Sequence, residues 1–256
     1  MIPRVIHYCW FGNTPLPASA ERCLASWRRT CHDYDIRRWD EHSFDVARCT
    51  FCREAHAAGK WAFVSDYARL RIIFEHGGIY LDTDVELLAS ANPLLAHAAF
   101  FGFQQDGTIA TGLGFGAMPA HPLVGALMKH YETTSFLGPS GLPDATPCPA
   151  RDAAVFRQFG FRLDGSPQER DGVIVLPADV MCPKSYDTGR VRITPRTLSI
   201  HHFDASWHNA VEAADLAKRR RYSARFGDWL GPRLYRASHT AARVLAPIRR
   251  ALRSRP

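Results

Sequence analysis

The sequence has no run of apolar residues near the roughly 20 that a membrane-spanning helix needs. Its start, Met1 to Gly12, lacks the long apolar core and the small-residue cleavage site of a signal peptide. No segment repeats along the chain, which argues against a solenoid or a propeller. We therefore expect a non-repetitive globular protein that stays in the cytosol.

A second Cys-x-x-Cys pair is also missing. The seven cysteines are irregularly spaced, and only Cys49 and Cys52 form a pair of this kind. A structural zinc site built on such pairs needs two of them, so the pattern does not favour zinc. Two interpretations stay open for the pair: a redox-active dithiol, or reduced thiols in a reducing compartment, which we prefer.

Charge is distributed unevenly over a chain of otherwise ordinary composition. Hydrophobic residues make up 46% and charged residues 22%, enough apolar side chains for a substantial core. The net charge is +7, yet residues 211–256 alone hold twelve Lys or Arg against three Asp or Glu. A slightly acidic body over residues 1–210 therefore carries a strongly basic tail over residues 211–256.

Strand-like and helical segments alternate along the body. Strand patterns cover 4–10, 34–39, 79–81, 99–103, 112–117, 173–176 and 198–202, and helical patterns cover 19–29, 44–58, 60–76 and 122–131. A segment rich in Gly and Pro, 136–149, indicates a loop. The alternation predicts an α/β fold with a mainly parallel sheet, in which ligands bind outside the carboxyl ends of the strands.

Asp82-Thr83-Asp84 lies at such a strand end. The helix over 60–76 stops at Gly77-Gly78, and a short apolar strand leads directly into the two acids. Two carboxylates one residue apart can share Mg²⁺ or Mn²⁺ and so neutralise a diphosphate. An isolated Asp-x-Asp is more often a solvated loop or an acidic helix start, but the preceding strand fixes these acids at the sheet edge.

Three further groups of residues are candidates for the same site. Asp66 and Arg69 lie three apart on one helix face, either as an ion pair or as a polar grip on sugar hydroxyls. His201 and His202 lie at a strand end, where such a pair is either surface or core filler, or supplies a metal ligand or a donor to a phosphate. Trp10, at the end of the first strand, either packs in the core or stacks on a nucleobase.

Three stretches together resemble glycosyltransferase family 32, a group of sugar transferases that carry a DXD motif. They are IPRVIHYCWFG, WAFVSDYARLRIIFEHGGIYLDTDVELL and SIHHFDASW, and they are spread over residues 2–207. The family includes bacterial capsular polysaccharide enzymes and fungal α-1,6-mannosyltransferases. The middle stretch is long and specific, and it contains both acidic groups described above.

The resemblance implies a fold, a reaction and a cofactor. The fold is glycosyltransferase A-type, Rossmann-like with helices flanking a mainly parallel sheet, in a catalytic domain over residues 1–210 with a basic helical tail. The reaction moves a hexose with retention from a UDP- or GDP-sugar to a saccharide or lipid-linked saccharide, in capsular or surface polysaccharide synthesis. The cofactor is Mn²⁺ or Mg²⁺, and a UDP-sugar is favoured over GDP-mannose as donor.

The resemblance also implies a role for each matching residue. Catalytic roles fall to Asp66, Arg69, Asp82 and Asp84, nucleotide-sugar binding to Trp10, Tyr80, Asp82, Ser206 and Trp207, and metal ligation to Asp82, Asp84 and His201. Asp84 is the more direct metal ligand, whereas Asp82 bridges to the ribose.

Two other functions compete with sugar transfer. A metal-dependent nucleotide-sugar hydrolase or phosphoesterase also uses paired acids, but it usually has a richer cluster of Asp and His than the sequence places near Asp82. A non-catalytic, membrane-docked binding module would not need the intact Asp-x-Asp.

The tail permits several interpretations of its own. Residues 218–256 alternate apolar residues such as Phe226, Trp229 and Leu230 with arginines, which is typical of a peripheral segment on an anionic membrane. A disordered tail and a helix packed on the body are the alternatives. No nucleic-acid-binding motif accompanies the positive charge, so we expect no nucleic-acid partner.

Overall fold

The computed structural model describes the backbone of residues 1–204 and 210–253. The strands are β1 (Val5–Cys9), β2 (Asp35–Trp39), β3 (Gly78–Tyr80), β4 (Val85–Leu87), β5 (Ala99–Gly102), β6 (Phe115–Ala117), β7 (Gln168–Arg170), β8 (Val173–Leu176) and β9 (Ser199–His201). The helices are α1 (Ala18–Thr30), α2 (Thr50–Ala57), α3 (Trp61–His76), α4 (Pro122–Glu132), α5 (Cys148–Gln158), α6 (Ala178–Met181) and α7 (Ala210–Arg253).

Seven strands form one mixed, mostly parallel sheet in the order β2-β1-β3-β6-β5-β8-β7. β1 pairs in parallel with both β2 and β3, and β5 pairs in parallel with β8. Only β6 and β7 run against the others. The predicted α/β architecture, with helices flanking a mainly parallel sheet, is therefore confirmed.

Neighbouring residues of the central strands face opposite sides of the sheet. Phe101 and Phe115 stack in a core cluster that includes residues of α2 to α5. Ile6 and Phe100 belong to a second cluster, which includes residues of α1 and β4. Both faces are thus covered, as the period of two along a strand requires in a sheet between helical layers.

The turn from α3 into β3 depends on two glycines. Gly77 and Gly78 have φ values of 65° and 96°, in the region that favours glycine. A Cβ at Gly77 would lie 2.6 Å from the Pro119 ring, and one at Gly78 would lie 2.7 Å from the Val5 carbonyl oxygen. The buried His7 ring also contacts the Gly77 carbonyl oxygen, at 3.1 Å. These contacts fix the direction in which the chain enters β3.

Most predicted elements are present, and the differences have local causes. The helical pattern over 44–58 yields a helix only from Thr50, and the strand pattern over 112–117 yields one only from Phe115. α5 begins at Cys148, inside the predicted loop, because prolines at 147 and 149 are compatible with the start of a helix. β4 and β7 were not predicted, because both are short and contain glutamate, which is depleted in strands.

By its contacts the chain divides into two compact units. One comprises residues 1–183 with 192–207, and the other comprises 184–191 with 208–256. The predicted boundary between a catalytic domain and a tail at residue 210 stays a prediction. Among the described helices, none combines the length and the apolarity that crossing a bilayer requires.

The second unit is built on α7, which confirms the predicted C-terminal helix. α7 breaks at Gly227, where φ is 79° and ψ is 168°. The parts before and after the break pack on each other: the Tyr235 hydroxyl donates to Asp215, and its ring lies against that of Tyr222. A Cβ at Gly231 would come within 2.5 Å of the Ser223 Cα, so the two parts touch through backbone.

Candidate metal and sugar-binding site

Asp82 and Asp84 lie just beyond the carboxyl end of β3, on the short link to β4. Because β1 and β3 are parallel, Trp10 at the end of β1 lies at the same edge of the sheet. The buried Tyr80 hydroxyl donates to Asp82 Oδ1 at 2.9 Å and so orients that carboxylate. The Asp-x-Asp segment is therefore held by the sheet, as the sequence predicts.

His201 reaches this edge from a distant part of the chain. β9 pairs antiparallel with β4, and Val85 lies opposite His201 in the register. His201 Nε2 is 3.1 Å from Asp84 Oδ1, and the Asp204 backbone N–H donates to Asp84 Oδ2 at 2.9 Å. One carboxylate thus connects the two strands.

The charges in this group shift one another's pKa values. Burial alone would raise the pKa of Asp84, but His201 and the Asp204 N–H lower it to about 2. Burial alone would lower the pKa of His201, yet the neighbouring Asp84 charge leaves it raised. Burial raises the pKa of Asp82, while Arg69 opposes that rise.

Asp82, Asp84 and His201 form a candidate metal centre. Each offers one ligand atom, and these atoms all lie within 4.8 Å of one another. Nδ1 of His201 is buried and has no hydrogen-bond partner among the described residues. Two carboxylate oxygens and one imidazole nitrogen fit Mn²⁺ well and Mg²⁺ acceptably, so the residues present fit the group that the resemblance implies.

Arg69 connects the metal candidates to α3. Its Nη2 lies 3.0 Å from Asp66 Oδ1 and 3.2 Å from Asp82 Oδ1. Its Nε donates to the Ser65 carbonyl oxygen at 3.2 Å, and its guanidinium lies 5.1 Å from the Tyr80 ring centroid. The guanidinium is almost fully buried, so it holds both carboxylates in a low-dielectric setting.

Asp66 has an unusual environment for a carboxylate. Burial raises its pKa to about 6, although the Arg69 charge opposes the rise. The Cys148 thiol, at the start of α5, lies next to both residues, and Arg69 Nη1 is 3.8 Å from its sulfur. Asp66 and Arg69 thus form the ion pair that their spacing permits, and Arg69 links it to the Asp-x-Asp segment. Their grip on sugar hydroxyls stays a prediction.

Sequence reasoning missed three residues behind this grip. Thr111 Oγ1 lies 3.5 Å from Arg69 Nη1 and 3.4 Å from Asp152 Oδ2, and both Thr111 and Asp152 are fully buried. Gly112 faces Asp82 so closely that a Cβ there would lie 2.8 Å from Oδ2. No spacing in the sequence predicts these contacts, because they join α3, α5 and an irregular segment.

The other predicted residues are those expected to bind the nucleotide sugar. Trp10 is half-buried and donates from Nε1 to the Thr14 carbonyl oxygen at 2.7 Å, and it packs at the edge of the core. Tyr80 is buried against Asp82, and its nucleotide contact stays a prediction. Ser206 and Trp207 lie outside the described residues. The predicted roles of all these residues stay predictions.

Comparison with known proteins finds a family model that matches the part of the chain containing this site. Residues 17–101 match the family model described as "Glycosyltransferase sugar-binding region containing DXD motif". That range contains Asp66, Arg69 and both acids of the Asp-x-Asp. On this match the chain is a glycosyltransferase enzyme. The finer assignment to family 32 stays a resemblance.

Several solved glycosyltransferases are distantly similar to this chain. The PaToxG glycosyltransferase is 13% identical, covers 62% of this chain and 70% of its own, and has a TM-score of 0.44. A glycosyltransferase involved in glycosylation of the PBCV-1 major capsid is 11% identical, with coverages of 78% and 94% and a TM-score of 0.43. The galactosyltransferase LgtC, solved with donor and acceptor sugar analogues, is 14% identical, with coverages of 83% and 95% and a TM-score of 0.40.

Proposed function

We propose that this enzyme transfers a hexose, with retention, from a nucleotide-diphosphate sugar to a saccharide or lipid-linked saccharide, in surface polysaccharide synthesis, and that it needs Mn²⁺ or Mg²⁺. A UDP-sugar is the favoured donor. The observation that carries the proposal is one continuous contact network, in which Arg69 links Asp66 to Asp82 within reach of Asp84 and His201. Such a network joins a sugar-binding grip to a metal centre.

The three candidate metal ligands have different roles at the donor diphosphate. Asp82, Asp84 and His201 would hold the cation, which supplies charge neutralisation for the departing nucleoside diphosphate when bound. Asp84 is held on both carboxylate oxygens, by His201 and by the Asp204 N–H, which suits the more direct metal ligand. Asp82 is oriented by Tyr80 and Arg69, which suits a residue that bridges to the ribose.

Donor recognition falls to the residues around this centre. Trp10 stacks on the nucleobase, and Ser206 and Trp207 donate to the diphosphate, as the resemblance implies. Asp66 and Arg69 hold hydroxyls of the transferred sugar, and the buried guanidinium keeps the grip rigid because its own partners are fixed. The acceptor hydroxyl attacks on the face that the leaving group departs from, and its proton passes to the leaving phosphate, so we assign no protein base.

A panel of nucleotide sugars tests the proposal. We expect thermal stabilisation by one donor with Mn²⁺ and formation of a glycoside, rather than free sugar, when an acceptor mixture is added. Asp84→Ala should abolish transfer, whereas Asp33→Ala, which removes an exposed acid paired with Arg4, should leave it unchanged. Release of free sugar alone would favour the hydrolase, and full activity of Asp84→Ala would reject the metal assignment.

We also propose that the tail binds an anionic membrane at its inner face, next to a lipid-linked acceptor. Phe226, Trp229 and Leu230 cluster around the break in α7 and are 41%, 71% and 40% exposed. The Arg233 guanidinium lies 4.0 Å from the Trp229 ring centroid, which places a positive charge beside the aromatic surface. Exposed aromatic residues with adjacent arginines suit an interface that is partly apolar and partly anionic.

Vesicle sedimentation tests the membrane proposal on the full chain. Vesicles with an anionic lipid should pellet the protein, and vesicles of phosphatidylcholine alone should not, since the attraction to surface charge is lost. Trp229→Ser should weaken pelleting, while Ile193→Ser, at another exposed apolar residue outside α7, should have no effect. Equal pelleting by all proteins would reject the proposal.

A further inference from the structure

A buried carboxyl group lies behind the sugar-binding grip and has no place in the function proposed above. Asp152, on α5, is fully buried, and so are Thr111 and the nearby Tyr131. Oδ1 of Asp152 and the hydroxyl of Tyr131 both lack a hydrogen-bond partner within 3.5 Å among the described residues. A buried polar group of this kind usually has a partner, so the arrangement calls for a physical explanation.

The hydrogen-bond chemistry fixes the direction of the chain that joins Asp152 to Arg69. A guanidinium only donates, so Thr111 Oγ1 must accept from Arg69 Nη1, at 3.5 Å. The single hydroxyl proton of Thr111 is then left for Asp152 Oδ2, at 3.4 Å. Both contacts are long. Asp152 Oδ2 is therefore an acceptor, and any proton on this carboxyl group sits on Oδ1, toward Tyr131.

We propose that Asp152 is a positioning residue that acts through Thr111 to hold the Arg69 guanidinium against Asp66 and Asp82. The inference rests on the proposed function, because it assigns a purpose to the geometry of that site. Arg69 has two carboxylates on Nη2, and Thr111 is its contact on the other terminal nitrogen besides the weak one to the Cys148 sulfur. Loss of the Thr111 contact would let the whole guanidinium plane turn about the Cδ–Nε bond.

The charge state of Asp152 follows from its neighbours. Burial and the Asp66 carboxylate raise its pKa to about 8, against the attraction of Arg69. Tyr131 from α4 and Cys148 from its own helix complete the titratable surroundings, and the pKa of each is itself raised by burial. A neutral Asp152 leaves Arg69 facing two carboxylates instead of three and can donate from Oδ1 to the Tyr131 hydroxyl.

Asparagine is nearly isosteric with a neutral aspartic acid, so Asp152→Asn provides a matched variant for the test. In Asp152→Asn the amide oxygen can accept from Thr111 and the amide nitrogen can donate to Tyr131, so this variant should retain wild-type kcat. Asp152→Ala and Thr111→Val each break the hydrogen-bond chain from Asp152 through Thr111 to Arg69. We expect each variant to lower kcat about 10- to 100-fold with a smaller change in KM. Thr111→Ser keeps the hydroxyl and should retain activity.

The double variant and the metal provide independent readouts. Both changes break the same hydrogen-bond chain. The kcat of the double variant, Asp152→Ala with Thr111→Val, should therefore be no lower than that of either single variant. Mn²⁺ alone, titrated by electron paramagnetic resonance, should bind more weakly to Asp152→Ala than to Asp152→Asn, since Arg69 orients Asp82. Wild-type activity in Asp152→Ala, or equal losses in Asp152→Ala and Asp152→Asn, would overturn the inference.

Stability against pH checks the charge state assigned to Asp152, and this measurement needs no substrate. The folded protein keeps a proton on Asp152 that the unfolded chain releases, so this group lowers the free energy of unfolding as pH rises from about 4 to about 8. The stability of Asp152→Asn relative to wild type should therefore grow over that range and level off above it. A constant difference would contradict only the neutral charge state assigned to Asp152. Equal Mn²⁺ affinity in Asp152→Ala and Asp152→Asn would overturn the inference, whereas a wild type that transfers no sugar would overturn only the proposed function.

Discussion

Gly112 lies so close to Asp82 that a Cβ atom at this position would be 2.8 Å from Oδ2 of that carboxylate. The same atom would lie 3.2 Å from Nη1 of Arg69. Glycine is needed here for space, because its φ is not in the left-handed region. The absence of a side chain thus leaves room for the arginine and the carboxylate to meet.

Gly112→Ala should therefore weaken metal binding and sugar transfer together. The added methyl group has to displace the Asp82 carboxylate, and we expect Mn²⁺ affinity to fall about 10- to 100-fold, measured by isothermal titration calorimetry. Gly138→Ala is the matched control, because a Cβ there would meet its nearest neighbour, the Leu142 carbonyl oxygen, at 3.6 Å. Unchanged Mn²⁺ affinity in Gly112→Ala would show that Asp82 is not a ligand in its present orientation.

Arg69→Lys should inactivate the enzyme although it preserves the charge. One ammonium group cannot reach Ser65, Asp66 and Asp82 together, as the planar guanidinium does. We expect kcat to fall about 100- to 1,000-fold, the usual effect of removing one oriented donor. The control is Arg71→Lys on the same helix, where the side chain pairs with the partly exposed Glu75. Similar kinetics for both variants would contradict the assigned role of Arg69.

Acid should loosen the turn that precedes the Asp-x-Asp segment. Burial, with the nearby His76 and Arg37, lowers the pKa of His7 to about 4, so His7 is neutral in the folded protein. In the unfolded chain His7 binds its proton near pH 6.5, and its contribution to stability is therefore full above that pH and lost as pH falls toward 4. The lost free energy of unfolding is about 3 kcal/mol at most.

Denaturant unfolding from pH 7 to pH 4 measures this effect. His7→Gln, which keeps a polar side chain but cannot titrate, should show a flatter dependence on pH than the wild type. A matched control is His32→Gln, because His32 is exposed. Parallel pH profiles for the wild type and His7→Gln would rule out His7 as the source.

Gly231→Ala should separate the two parts of α7. A Cβ at this position would lie 2.5 Å from the Ser223 Cα, so the backbones must move apart and the Tyr235 to Asp215 contact must weaken. We expect faster amide hydrogen exchange over residues 211–238, measured by mass spectrometry. Ala237→Ser, at an exposed position of the same helix, provides the control. Equal exchange in Gly231→Ala and wild type would show that the contact is not needed.

The parts of the site that lie close in sequence are the parts that the sequence predicts. Asp66, Arg69 and the Asp-x-Asp all belong to one helix, turn and strand, and the helical period with the two glycines is enough to bring them together. The strand pattern over 198–202 makes His201 a candidate, and the resemblance favours it over His202. The pairing of β9 with β4, which brings His201 to Asp84, leaves no local signal in the sequence.

Asp152 illustrates what sequence patterns do not reveal. Its position in α5 looks like one polar residue among several, and Pro147 and Pro149 hide the start of that helix in a loop-like segment. Its proposed role depends on its burial and on its distance from Thr111, and both arise only when α5 packs against the irregular segment that contains Thr111.

The pairing of β4 with β9 also has a consequence for how the enzyme is made. The two acids leave the ribosome early, together with the first strands of the sheet, whereas the histidine emerges only after β5 to β8 have been synthesised. Proteins generally fold from the N-terminal side during synthesis. A nascent chain that stops before β9 keeps the entire Asp-x-Asp segment, yet it lacks both the imidazole and the Asp204 N–H that fix Asp84. The proposed metal centre would therefore be completed only late in translation.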